Sequence, residues 1–92
     1  MNKYVARDLG KLRAVSELLS GLPQSPQILS ARRKIDELIV DLSGNNVNKA
    51  TMAMCYVNMS ELLVTLSQFA PGNEAAALII RREFFGQKEV SH

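Results

Sequence analysis

The sequence has few of the residues on which covalent, metal or redox chemistry depends. Its 92 residues include one cysteine, one histidine and no tryptophan. One cysteine cannot form a disulfide within the chain, so a disulfide-stabilised scaffold is excluded. Cys55 and His92 together are also too few for a zinc site, which takes about four ligands. We therefore expect neither a metal nor a cofactor.

An excess of charge of one sign and long apolar runs are also missing. The chain carries 11 Lys and Arg against 9 Asp and Glu, a net charge of +2. This excludes a strongly acidic mimic of nucleic acid and gives by itself no argument for nucleic-acid binding. The apolar runs at 52–57 and 75–80 are far shorter than the roughly 18 residues that a membrane span needs. Charges among the first residues and the unpaired Cys55 predict a cytoplasmic protein with no membrane partner.

What the chain does have is enough apolar surface to fold. Hydrophobic residues make up 47% and charged residues 22%, which is typical of a globular protein and excludes intrinsic disorder. We predict one domain over 1–86 and a polar, flexible tail over 87–92. A domain of this size has a thin stability margin, which self-association would supplement.

Turn-forming residues divide the chain into four segments of helical length. Within the segments, apolar residues recur at spacings of three and four, which is the pattern of an amphipathic helix. The predicted helices span about 3–20, 26–43, 47–69 and 74–85. The sequence therefore predicts an all-α fold, either a compact four-helix bundle or an orthogonal helical array.

Residues that favour helix ends lie at these boundaries. Ser25, followed by proline, predicts the start of the second helix. Asn46 or Asn48 is expected to cap the third helix and Asn73 the fourth. The glycines at positions 21 and 86 predict the ends of the first and fourth helices.

The third helix differs from the others because apolar residues cover well over half of its circumference. Its only charge between Lys49 and the break at Pro71 is Glu61. A helix that is apolar on all sides has to be covered by neighbours. We therefore predict that it is the central helix of the domain, an oligomer interface, or both.

Two charged residues, Asp8 and Arg81, fall within the apolar faces of the first and fourth helices. A buried charge without a partner is costly, whereas a paired one is tolerated. We predict that the two form a buried ion pair, either between these helices or across a dimer interface. In the alternative interpretation the first helix begins after Asp8, or Arg81 extends to solvent.

No group of residues predicts catalysis. Cys55 has no histidine near it in the sequence, and its neighbours on the helix are apolar, so we interpret it as an inert core thiol. The predicted function is therefore that of a non-enzymatic, helical protein–protein interaction module, such as an adaptor, inhibitor or subunit, with no small-molecule substrate. Its partner is expected to be another protein or a second copy in a homodimer. The candidate partner-binding residues are Leu29, Val40, Ile79, Phe84 and Phe85.

The alternative function is that of a nucleic-acid-associated accessory or regulatory protein. Basic residues at four-residue spacing on the first helix, and a basic run on the second, would contact phosphates. Acidic residues follow the second group directly, which favours an ordinary solvated face instead. The candidate phosphate contacts are Lys3, Arg7, Lys11, Arg32, Arg33 and Lys34.

Overall fold

The computed structural model describes residues 2–69 and 72–86 and folds them into helices. The four α-helices are α1 (Lys3–Ser20), α2 (Pro26–Leu42), α3 (Lys49–Val64) and α4 (Glu74–Ile79). A π-helical turn extends each of the last two, Thr65–Phe69 after α3 and Ile80–Phe84 after α4. No strand occurs in these two ranges, so the predicted all-α class is confirmed. The predicted tail over 87–92, including His92, and the turn residue Pro71 lie outside the described residues.

Side-chain caps fix three of the four helix starts. The carbonyl oxygen of the Asn2 side chain accepts a hydrogen bond from the Tyr4 N–H at 2.7 Å. Ser25 caps α2 through its hydroxyl, and proline occupies the first helical position, as predicted. Asn48, rather than Asn46, caps α3 and accepts from the Thr51 N–H at 2.9 Å. Each cap satisfies an amide that the helix itself leaves without a partner.

The start of α4 is built differently from the prediction. Asn73 is the N-cap residue by position, but its side chain does not cap the helix. Its side-chain oxygen instead lies 3.3 Å from the Ser25 hydroxyl, which donates to it and thereby links the starts of α2 and α4. Glu74 accepts from the Gly72 N–H at 3.2 Å. Gly72 has a φ of 92°, a conformation that residues with a side chain rarely adopt. The turn that leads into α4 therefore depends on glycine at this position.

The core is formed mainly by α1, α2 and the α4 segment. α1 packs along α2 and also contacts α4 and the π-helical turn after it. The predicted apolar stripes of these helices are the buried ones. The fully buried large side chains include Leu9, Leu12, Leu19, Ile28, Ile35, Leu42, Ile80 and Phe84.

The predicted central position of α3 is not confirmed, because few of its residues are buried. Along Lys49–Val64 the buried residues are Cys55 and Met59, whereas α1 buries six residues. The molecule measures 37 × 34 × 21 Å, and 21 Å is about two helix diameters. α3 keeps one face towards solvent. Among the described residues no helix is long and apolar enough to cross a bilayer.

Candidate interaction surfaces

The outer face of α3 is an exposed apolar surface. Met54, Val57 and Val64 are 55%, 46% and 45% exposed, and Ala50 and Ala53 beside them are exposed as well. Soluble monomers often expose single aliphatic side chains, but a row of them along one helix face is a mark of an interaction site. We refer to this group, together with the exposed Ser60 and Glu61, as the α3 outer face.

The opposite side of α3 fixes the helix to the domain. Cys55, Met59 and, in the π-helical turn, Leu66 are buried at spacings of four and seven residues, so they share one helix face. Burial raises the pKa of the Cys55 thiol to about 11, and the negative charges of Asp8 and Asp41 add to this shift. The thiol is therefore neutral at physiological pH and unsuited to act as a nucleophile or a metal ligand.

A buried polar contact joins α1 to α3. Asp8 is fully buried, and its Oδ1 accepts a hydrogen bond from the Tyr56 hydroxyl at 3.1 Å. The Arg7 Nε lies 3.4 Å from the same oxygen, although the Arg7 side chain is half exposed. The Asp8 Oδ2 has no hydrogen-bond partner among the described residues. Burial and the neighbouring Asp8 carboxylate raise the pKa of Tyr56, so Tyr56 remains a hydrogen-bond donor at neutral pH.

The predicted pair between Asp8 and Arg81 does not form within the chain. Over residues 2–69 and 72–86, the ion pair that Asp8 makes is with Arg7, and Arg81 is half-buried without an ion pair to Asp8. Asp8 does lie in a buried helix face, as its position in the apolar stripe predicted. Its hydrogen-bond donor is the neutral hydroxyl of Tyr56 on α3 rather than the positive charge that was predicted. The alternative that α1 begins after Asp8 is also wrong, because α1 begins at Lys3.

Three aromatic rings pack beside this contact. The Tyr56 ring lies 4.9 Å from that of Phe84 and 6.3 Å from that of Phe85, measured between centroids. The Phe84 and Phe85 rings meet edge to face at 5.0 Å. Aromatic pairs in these geometries add to the stability gained from burial. Tyr56 therefore connects α3 to the rest of the domain through both its hydroxyl and its ring.

The predicted partner-binding residues do not form one surface. Phe84 is fully buried, so its assignment to a contact surface is wrong, and Ile79 and Phe85 are half-buried. Leu29 and Val40 are exposed on α2, with Val40 at 70%. These two lie 11 positions apart, or about 16 Å along the helix. They are separate exposed side chains, whereas most of the apolar residues of the α3 outer face lie on adjacent turns, with Val64 beyond Ser60 and Glu61.

The basic residues separate into two groups. Lys3 and Arg7 lie on one face of α1, and their charged groups are each 5.4 Å from the centroid of the Tyr4 ring. Lys11, one turn further along, approaches the Phe84 ring at 5.9 Å. This α1 group retains the spacing that the alternative nucleic-acid function requires, and that function stays a prediction.

The basic run on α2 does not form a patch, because consecutive residues point about 100° apart around a helix. The Arg32 guanidinium donates to the Gln24 side-chain oxygen at 2.6 Å. Lys34 lies 3.7 Å from Glu37, and Arg33 is exposed on its own side of the helix. These three cations therefore face three directions, and two of them are already engaged within the chain.

A shallow groove runs between α2 and α3. Two adjoining depressions, of about 240 and 300 Å³, share Ser30, Leu62 and Thr65 in their walls. The first has a mainly apolar lining that includes Ala31 and Leu66, and the second is bordered by Lys34 and Glu61. Glu61 therefore lies between the groove and the α3 outer face. The described residues contain no group of three His, Cys, Asp or Glu that could hold a metal ion.

Sequence reasoning named helix three as a possible interface but did not select its contact residues. The sequence did not distinguish Ala50, Ala53, Val57 and Val64 from core residues, because apolar side chains cover well over half of the helix. Their spacing of three, four and seven residues places them on one face that excludes Cys55, but it does not show which of the two faces turns to solvent.

The comparisons with known proteins add no relative. The chain matches no protein-family model, no curated protein and no solved structure.

Proposed function

We propose that this protein is a non-enzymatic helical interaction module that binds a protein partner through the α3 outer face. The observation that carries the proposal is the exposure of Met54, Val57 and Val64 along one side of a helix whose other side is packed into the core. The three side chains lie on one helix face over positions 54–64, with Met54 and Val57 on adjacent turns and Val64 two turns beyond Val57. A partner surface about 15 Å long would cover all of them.

These apolar side chains supply part of the free energy that specific binding requires. Covering the three side chains removes roughly 250 Å² of apolar surface from water, which is worth about 6 kcal/mol before the costs of association. The neighbouring alanines and Ser60 are small, so a partner helix can approach the α3 backbone closely and gain further dispersion contacts. Glu61 on one edge supplies a charge that restricts which partners fit.

In-cell photocrosslinking tests this proposal. Val57 is replaced by a photoreactive benzoylphenylalanine, and the protein is expressed and irradiated in the cells from which it comes. We expect one or more discrete protein adducts. In the matched control, benzoylphenylalanine replaces Arg13, which is exposed on α1, and we expect no adduct. Equal labelling at both positions, or no adduct at Val57, would contradict a binding role for the α3 outer face.

A further inference from the structure

The spacing of residues on the α3 outer face suits a second helix of the same kind. Ala50, Ala53, Val57, Ser60 and Val64 are all exposed and follow one another at alternating steps of three and four residues. This is the seven-residue pattern by which one helix packs along another, with successive side chains inserting between those of its neighbour. A single groove-binding loop would not require such regularity over 15 residues.

Two copies of this row are complementary when they run antiparallel. If Val57 lies opposite Ser60 of a second copy, then Val64 lies opposite Ala53 of that copy, and the two-fold axis repeats both pairs. Each layer then sets one valine against one small residue, so the volumes are even along the contact and the helices can approach to about 8 Å. A parallel pairing would instead set valine against valine and alanine against alanine, which leaves alternating clashes and gaps. The antiparallel arrangement also aligns the helix dipoles favourably.

The size and charge of the surface agree with self-association. α3 and its π-helical turn cover Lys49–Phe69, about 30 Å of helix. Two such faces remove roughly 500 Å² of apolar surface from water through Met54, Val57 and Val64 alone, and the alanines, Ser60 and flanking side chains add to this area. The row from Ala50 to Val64 contains no charged residue, and Glu61 lies at its edge, where it stays in water. No charge is therefore desolvated when two copies meet.

From these observations we infer that the partner of the α3 outer face is a second copy of this chain, bound as an antiparallel α3–α3 homodimer. The inference rests on the proposed function and makes it specific. The sequence predicts that neighbours cover the apolar faces of helix three. In the homodimer the second copy covers the face that is exposed in a single chain.

Cysteine crosslinking tests the arrangement with the full chain. Ala53→Cys and Val64→Cys variants are purified separately, mixed and oxidised. In the antiparallel dimer the two introduced thiols of a mixed pair face each other, whereas two copies of the same variant hold them about 16 Å apart. We expect the mixture to form a covalent dimer at least about ten times faster than either variant alone. The unsubstituted protein is the control, because its Cys55 is buried and should not crosslink.

Each other outcome overturns the inference. Crosslinking of each variant with itself would show a parallel pairing, and no crosslinking in any sample would show that α3 does not pair with itself. Sedimentation equilibrium provides a second measurement, with a mass of two chains expected at a concentration of roughly 100 µM. Val57→Lys should weaken the dimer at least about tenfold, because the ammonium group would be buried, while Val40→Lys on α2 should not change it.

The same measurements separate this inference from the proposed function. If the purified chain is a monomer but benzoylphenylalanine at Val57 captures a different protein, the homodimer is wrong and the interaction module stands. If the chain is a monomer and Val57 captures nothing, both are wrong.

Discussion

The hydrogen bond from Tyr56 to Asp8 provides the sharpest test of how α3 is held to the domain. Replacing Tyr56 by phenylalanine removes the hydroxyl and leaves the ring among Phe84 and Phe85. The Asp8 carboxylate would remain fully buried, with the half-exposed Arg7 at 3.4 Å as its remaining hydrogen-bond donor. The substitution therefore isolates the effect of leaving a buried carboxylate short of a partner.

The expected cost is about 2 kcal/mol. A hydrogen bond to a charged group contributes roughly 1.5–3 kcal/mol to stability. We expect a loss in the lower part of that range, because the Asp8 Oδ2 already has no partner among the described residues. For a domain of this length the loss corresponds to a fall in Tm of roughly 10 °C. The measurement is the free energy of unfolding from urea titration followed by circular dichroism at pH 7.

The matched background is Asp8→Leu, which exchanges the carboxylate for an apolar side chain of similar length. We expect this variant to be within about 1 kcal/mol of the parent, because it also removes the unpaired Oδ2. In that background Tyr56→Phe should cost less than about 0.5 kcal/mol, since no buried acceptor is left. The double-mutant cycle therefore predicts a coupling energy of about 1.5 kcal/mol.

An equal cost of Tyr56→Phe in both backgrounds would refute this reasoning. It would show that the hydroxyl acts through water or through ring packing, and that the 3.1 Å contact to Asp8 contributes nothing to stability.

Two further predictions concern Cys55 and the basic face of α1. Because the pKa of Cys55 is raised from about 9 to about 11 in the folded chain, its contribution to stability is complete below pH 9 and is lost as the pH rises to 11. Urea titrations should show a loss of about 2 kcal/mol over this window that Cys55→Ala lacks, and identical pH profiles of the two proteins would contradict it. For Lys3 and Lys11, the nucleic-acid alternative requires binding that weakens steeply with salt. We expect no change in the fluorescence anisotropy of a labelled oligonucleotide at low salt, and salt-sensitive binding that Lys11→Ala reduces would favour the alternative.

Local sequence signals were sufficient for the helices and most of their ends. Ser25 before a proline and Asn48 before the third helix each place a side-chain acceptor where free backbone amides begin, so these starts are determined within three residues of chain. Glycine at 86 adopts a φ of 65° and ends the last helix for a similarly local reason. The burial of Asp8 could also be predicted, because it depends on position within one helix face.

The partner of Asp8 and the location of the exposed apolar face were decided by tertiary structure. Which residue meets Asp8 depends on how α1 and α3 cross, and Tyr56 is 48 positions away with no charge to mark it. On α3 the apolar residues cover well over half of the circumference, so periodicity alone could not show which apolar face turns inward or separate Cys55 from Val57. Helix packing determines which face is buried: Cys55 and Met59 pack against the other helices, whereas Val57 and Val64 remain exposed to solvent. Local preferences act over a few residues, whereas the selection of one apolar face over another depends on contacts that exist only after the helices have assembled.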